Sequence, residues 1–293
     1  MMQIDPSLIK TSELHAYLLG AVAPRPICFA STIDQDGRPN LSPFSFFNVF
    51  GSNPATLIFS PARRVRDNTV KHTLENVYAT KEVVINVVNY NMVQQTSLAS
   101  CEYPAGVNEF EKAGFTPLPS EKIKPFRVKE SPVQIECIVK EIIETGQEGG
   151  AGNLVICEPV MLHINDEILN ANGKIDPHKI DLVARMGGDF YCRASGDAVF
   201  EVAKPNTKLG IGVDALPANI RNSNILTGNN LGQLGNVHEM PFIDPAFHDD
   251  HLKNIIQYYS VTPDEMEKEL HAYAKTLLDQ GRVEAAWQVL LAG

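Results

Sequence analysis

The sequence is poor in every feature that would place it in a bilayer, outside the cell or on nucleic acid. No apolar run approaches the roughly 20 residues that span a membrane, and Val83-Val84-Ile85, among the longest, meets Asn86 at once. The first residues, Met1-Met2-Gln3-Ile4-Asp5-Pro6, contain no basic stretch leading into an apolar one, so no secretory signal is expected. The five cysteines, Cys28, Cys101, Cys137, Cys157 and Cys192, are odd in number, widely spaced and without a CxxC pair. That excludes the usual disulfide framework and zinc site and points to a reducing cytoplasm. Basic residues are outnumbered 25 to 35, a net charge of −10. Nucleic acid is therefore not an expected partner, because affinity for its phosphates needs a basic surface.

Several catalytic signatures are missing too. No GxSxG elbow or other nucleophile–base pair occurs, and no side chain is expected to act as a catalytic acid or base. Gly210-Ile211-Gly212-Val213-Asp214-Ala215 matches a dinucleotide-binding pattern, but no strand precedes it and Pro217 blocks the helix that should follow. His248-Asp249-Asp250-His251 sets two imidazoles three residues apart. With no third ligand apparent, a polar helix start is expected there and a metal is not.

What the chain does have is an ordinary globular composition, 44% hydrophobic and 20% charged over 293 residues. That is too apolar for disorder, and the length suits about two domains of roughly 150 residues. A short helix is expected over 11–20. Strands follow at Ile27 to Ile33, Leu41 to Phe50 and Ala55 to Ser60, the first two joined by the turn Asp34-Gln35-Asp36-Gly37. A helix over 69–80, a strand over 83–88 and a helix over 92–100 come next. Residues 102–130 read as loop. Val133 to Ile143 and Leu154 to Ile164 form a long hairpin around the glycine-rich turn 149–152, and a short strand is expected at Phe190 to Arg193. Six or more mostly sequential strands imply a mainly β, closed antiparallel barrel with inserted helices, since closure removes exposed edges.

Composition changes near residue 200. Residues 204–247, rich in Asn, Gly and Pro, read as a loop arm, and 248–292 as helices. Thr262-Pro263-Asp264-Glu265 carries a capping-box signature. The expected domains are thus 1–200 and 201–293. The apolar faces of the tail (Leu270, Tyr273, Leu277, Leu278, Trp287, Leu290) are expected to bury against the barrel or a partner subunit.

The chemistry-bearing stretch is 42–73. Ser42-Pro43-Phe44-Ser45-Phe46-Phe47-Asn48 is an aromatic strand in which alternation sends Phe44 and Phe46 to one face, read as core, and Ser45 and Phe47 to the other. Next, Ser60-Pro61-Ala62-Arg63-Arg64-Val65-Arg66 follows a strand, and Lys71, His72 and Thr73 open a helix. Arginines pair with phosphate in a bidentate way and a helix start offers free N–H groups. An anion site and a solvated basic loop are both open readings of this cluster.

The order Pro24-Arg25-Pro26, Ala30-Ser31-Thr32 and Ser42 to Asn48 resembles the flavin reductase-like, FMN-binding split-barrel family. Lys71-His72-Thr73-Leu74-Glu75-Asn76 is similar to that family's Lys-Asp-Thr-Leu-x-Asn, with His72 in place of Asp. Glu82 to Asn86, Glu109 to Gly114, Glu130 to Cys137 and Arg185 to Tyr191 extend the resemblance over about residues 12–195. It implies a six-stranded Greek-key split barrel that dimerises with FMN near the subunit interface. Ser31, Thr32, Ser45, Phe46, Phe47 and Asn48 would line the isoalloxazine, and Ser60, Arg63, Arg64, Lys71, His72 and Thr73 would hold the phosphate. The implied activity is transfer of hydride from NADH or NADPH to FMN, with a monooxygenase or other electron acceptor as partner. The alternative is an FMN-bound electron carrier of flavoredoxin type.

Overall fold

Residues 27–33 are apolar or β-branched save Ser31, and they lie in the middle of a sheet, where both faces of a strand are covered. In the computed structural model, which describes residues 1–205 and 208–293, this run is β1 (Cys28–Ile33), buried along its whole length. The helix α1 (Thr11–Ala21) precedes it. After it come β2 (Pro39–Phe44), β3 (Phe47–Ser52), β4 (Ala55–Phe59), α2 (His72–Thr80), β5 (Glu82–Val87), α3 (Val93–Leu98) and α4 (Glu109–Ala113). A two-residue ladder, β6 (Pro117–Leu118) with β7 (Arg127–Val128), is followed by the long hairpin β8 (Val133–Glu144) and β9 (Asn153–Ile164). The short hairpin β10 (Val183–Arg185) and β11 (Tyr191–Arg193) completes the first of two compact units, Met1–Phe200. The loop expected over 102–130 thus contains a short helix and a small ladder.

The main sheet has seven antiparallel strands in the order β2-β1-β5-β8-β9-β4-β3. β2 and β3 are consecutive in the chain yet stand at its two ends. Only Ser45 and Phe46 separate them, and three Cα steps reach at most about 11 Å. The sheet therefore curls until its edges nearly meet, without a ladder between them. The closed six-stranded barrel expected from the sequence is corrected to an open, curled sheet of seven. The expected strand over 41–50 is in fact two, and the bend at Ser45-Phe46 carries the chain from one edge to the other.

That bend also resets the side-chain alternation. Phe44 and Phe47 both serve the interior, where they join Cys28, Ala30, Phe59, Val83, Ile85, Cys137, Val155 and Cys157. The rings of Phe44 and Phe59, from opposite halves of the sheet order, lie 5.5 Å apart. Phe46, expected as core, is 38% exposed instead. α2 covers the same core with Leu74 and Val77. It starts at His72 and not at 69, because a turn at residues 65–67 is followed by Asn68 at positive φ and then by Lys71 in an extended conformation. The other face of β1, through Phe29, packs with Leu41, Met92, Phe110 and Phe115 under α3 and α4.

The second unit, Glu201–Gly293, has a core of its own. Helices α5 (Ala218–Arg221), α6 (Gly228–Gly235), α7 (Asp250–Tyr258), α8 (Pro263–Asp279) and α9 (Val283–Leu290) converge on Trp287, Leu234, Leu270, Leu277 and Leu278. The expected loop arm over 204–247 thus contains two helices, while its residues 206 and 207 lie outside the described residues. α6 forms despite its glycines because Thr227 and Asn230 cap it reciprocally and Leu234 is fully buried. At α8, Pro263 sits in the first turn as expected, but Thr262 makes no capping bond through its side chain. No helix among the described residues is long and apolar enough to cross a membrane.

Candidate functional site

β4 ends at Phe59, and the chain then turns sharply. The Ser60 amide donates to the Phe46 carbonyl at 2.8 Å, so the start of the arginine loop is hung on the β2–β3 crossover. The Ser60 hydroxyl is buried and accepts from the Asn153 amide at 3.0 Å. From the other side the 149–152 turn braces the loop, with the Arg63 amide donating to the Ala151 carbonyl and the Gly150 amide to the Arg63 carbonyl, both at 2.9 Å. Only glycine fits at 149, where a Cβ would stand 2.9 Å from the Arg64 carbonyl oxygen.

The three arginines differ in what occupies them. Arg63 donates from Nε to Asn68 Oδ1 at 2.6 Å and from Nη2 to the Asn68 carbonyl at 3.1 Å, with no carboxylate pair among the described residues. Arg64 reaches Glu102 at 2.9 Å, Thr69 Oγ1 at 2.6 Å and the Val70 carbonyl at 2.8 Å. Arg66 is outermost and pairs with Asp67 and with Glu102. Arg64, Val65, Arg66 and Glu102 line one side of an open cleft of about 340 Å³, with Ser12 and His15 of α1 on the other. The His15 ring meets the Phe46 ring edge-on at 6.2 Å, which joins the cleft to the crossover.

α2 starts beside this loop. Lys71 at its N-cap makes no side-chain capping bond, so the first N–H groups of the helix have no side-chain acceptor. The Lys71 ammonium donates to the Ser100 carbonyl at 3.3 Å. Burial, and then the Arg64 charge, hold its pKa below the ordinary lysine value. The macrodipole adds positive potential at the same end. Arg63, Arg64, Lys71, His72 and the α2 start thus form one electropositive corner of an acidic chain.

The hydroxyls of the β1 segment go elsewhere. Thr32 and Thr73 are fully buried in an internal network, in which Asn76 Nδ2 donates to Thr32 Oγ1 at 3.0 Å and Asn40 Nδ2 to Thr73 Oγ1 at 2.9 Å. Ser31 lies on the opposite face of β1, also fully buried, and its hydroxyl has no partner among the described residues. At the crossover, Ser45 is half-buried and Asn48 exposed, its Oδ1 accepting from the Val49 amide at 2.8 Å.

Three residues that sequence reasoning left out of the site belong to its frame. Ser12 and His15 sit on a helix that the pattern showed only as a helix. Arg25 is 6% exposed, and its side chain ties the end of α1 to Ser45 and to Met186. Its signals in the sequence are its place in the Pro24-Arg25-Pro26 motif and a cation set inside the apolar stretch that leads into β1.

The model of the flavin reductase like domain matches residues 20–178. The chain belongs to that family. An uncharacterized protein of Aquifex aeolicus (strain VF5) is 38% identical over 189 residues, 64% of this chain and 94% of that protein. Among solved structures, nitrilotriacetate monooxygenase component B from Bacillus cereus is 26% identical with a TM-score of 0.64, over 69% of this chain and 98% of that one. Flavoredoxin of Desulfovibrio vulgaris (Miyazaki F), 21% identical with a TM-score of 0.54 over 70% and 98% of the two chains, shares the fold. The family match covers the curled sheet with α2, α3 and α4, begins at the end of α1 and stops before the second unit.

Proposed function

We propose that this chain is an FMN-dependent flavin reductase that takes hydride from NADH or NADPH, acts as a cytoplasmic homodimer and supplies reduced flavin to an oxygenase partner. The observation that carries the reading is the convergence, in a member of this family, of the β2–β3 crossover, Ser60, the arginine loop and the uncapped start of α2 on one corner of the fold. The residues present fit a ribityl phosphate and a flat polar ring. Lys71, Arg63, Arg64, Ser60, His72 and the first N–H groups of α2 supply donors for the phosphate, which would compete with Glu102 for Arg64. The unpartnered Ser31 hydroxyl and the segment Ser45, Phe46, Phe47 and Asn48 supply the ring side. Thr32 and Thr73 contribute through main-chain groups, since their hydroxyls are already bonded inside.

When bound, the flavin supplies the hydride-accepting chemistry, and the protein supplies placement. Lys71 and the α2 start anchor the phosphate and so fix the position of the ring. The crossover, at the unladdered edges of β2 and β3, offers main-chain N–H groups toward developing negative charge, as donors do in an oxyanion hole. No side-chain acid or base is required. The exposed apolar residues of β3, Val49 and Phe50, support a homodimer contact on that edge. The likeness to a monooxygenase component supports the oxygenase partner.

Replacing Lys71 and Arg64 by Ala tests the phosphate assignment. Each charge-assisted bond is worth about 1.5–3 kcal/mol, so the double variant should bind FMN at least tenfold more weakly while riboflavin affinity barely moves. Equal weakening of both ligands removes the phosphate from this corner. Steady-state oxidation of NADH or NADPH with added FMN separates a reductase from the electron carrier, which would show almost none.

A further inference from the structure

Arg25 is a buried cation without a buried anion. Its Nη1 donates to the Leu19 carbonyl at 2.6 Å and the Val22 carbonyl at 2.8 Å, and its Nη2 to the Met186 carbonyl at 3.0 Å. Its Nε faces Ser45 Oγ at 3.5 Å. No carboxylate lies within ion-pair distance of it among the described residues, and one N–H of its five has no acceptor among them. Burial, and then the charge of Arg185, lower its pKa from the ordinary arginine value. Arg185 is its backbone partner, exchanging two hydrogen bonds of 2.9 Å with it. The Arg185 guanidinium lies over the Tyr191 ring at 4.6 Å and donates to the Gly188 carbonyl at 2.8 Å, again with no carboxylate pair among the described residues.

A buried charge held only by neutral acceptors is costly. Main-chain carbonyls solvate a guanidinium, but they do not neutralise it. Arg25 and the half-buried Arg185, joined by an isolated backbone bridge in a chain of net charge −10, leave positive potential beside Ser45, at the bend that carries the ring-side residues.

We infer that Arg25, with Arg185 behind it, is a positioning residue that holds the Ser45 bend against α1 and the Met186 turn and biases this site toward the negatively charged, reduced form of the bound ring. The inference rests on the FMN reading above. It assigns Arg25 no contact with the ring. It acts through Ser45 and through its field, which a low-dielectric surrounding keeps strong.

The test is the midpoint potential of the FMN-loaded protein, titrated with dithionite, for wild type, R25Q, R25K and R185Q. R25Q should favour the oxidised over the reduced ring by about tenfold relative to wild type, a fall of about 30 mV for a two-electron couple. R25K keeps the charge and should stay near wild type in potential while binding FMN more weakly, because a lysine cannot make the three-carbonyl fork. R185Q, at a half-buried and less constrained position, should shift the potential the same way by a smaller amount. If R25Q does not fold, R25K and R185Q carry the test alone. Wild-type potentials in R25Q, or in R185Q where R25Q is lost, overturn the inference and leave Arg25 a purely mechanical clamp. Failure of wild-type protein to bind FMN overturns the functional reading instead, and the two failures are distinct.

Discussion

The two units of this chain solve the problem of a stable interior in opposite ways. Residues 1–200 bury many polar side chains, among them Arg25, Ser31, Thr32, Asn40, Thr73, Asn76, Asn86, Glu109 and Glu136. Residues 201–293 bury Asn230 and His271 and otherwise close around leucines and Trp287. Buried polar groups cost stability unless every donor and acceptor is matched. They also fix geometry, since a network has one arrangement where an apolar core tolerates several. The first unit holds the candidate site in place with such bonds. The second rests mainly on apolar packing, with caps such as Thr227–Asn230 at its helix ends, and its hydrophobic faces find one another within the unit.

The largest expected effect falls on the second unit. Trp287 is completely buried and its indole N–H has no partner among the described residues. Trp287→Ala should cost about 3–5 kcal/mol, mostly through the cavity it leaves. The helical signal should melt at a lower temperature while FMN uptake at 25 °C stays at the wild-type level. A variant that keeps its helices but loses FMN uptake would break the division of labour drawn between the units.

A smaller loss is expected in the polar core of the first unit. Asn86 donates to the Phe29 carbonyl at 3.0 Å and accepts from the Val128 amide at 2.9 Å, fully buried between β1, β5 and β7. Asn86→Ala removes little volume but orphans two main-chain groups, each worth about 1–3 kcal/mol. Denaturant unfolding followed by the β-sheet circular dichroism signal reads the change, since the one tryptophan, Trp287, reports on the second unit. A loss below 0.5 kcal/mol would mean that water reaches both groups and that the network positions nothing.

The same contrast decides what could be read in the sequence. The β8–β9 hairpin was legible because two β-branched runs flank a glycine cluster, and Phe29 and Val83 to Ile85 because apolar runs of strand length are buried wherever they fall. The basic corner at 60–73 was legible because local charge stands out in an acidic chain. The split of residues 39–52 into two strands was not. It depends on the far edge of the sheet, and alternation carries straight through Ser45 when read locally. The partners of Thr32 and Thr73 are 44 and 33 residues away, beyond the reach of any periodicity. α6 was hidden because Gly and Asn lower helix propensity, whereas a reciprocal cap and tertiary burial of Leu234 override it.

The smallest effect is the opposite sign of pH dependence at one carboxyl of each unit. Glu109 accepts from the Leu41 amide of edge strand β2 at 3.0 Å, and burial, more than the opposing bonds and charges, raises its carboxyl above the usual value. A raised folded pKa favours the fold fully below the unfolded value, near 4.5, and that contribution is lost as pH rises through the folded pKa. Asp249 caps α7 through the Leu252 amide at 2.9 Å and accepts from the Tyr273 hydroxyl at 2.6 Å. Burial pushes it up, but the Tyr273 hydroxyl, the Leu252 and His251 amides and the His251 charge together outweigh burial and hold it below its usual 3.8. Its contribution is present above that value and is lost as pH falls through the folded pKa. Measured by urea unfolding, Glu109→Gln should therefore compare better with wild type at pH 7 than at pH 4.5. Asp249→Asn should compare better at pH 3 than at pH 7. If both variants track wild type with the same slope, neither carboxyl titrates differently in the fold, and the opposite directions assigned to Glu109 and Asp249 fall together.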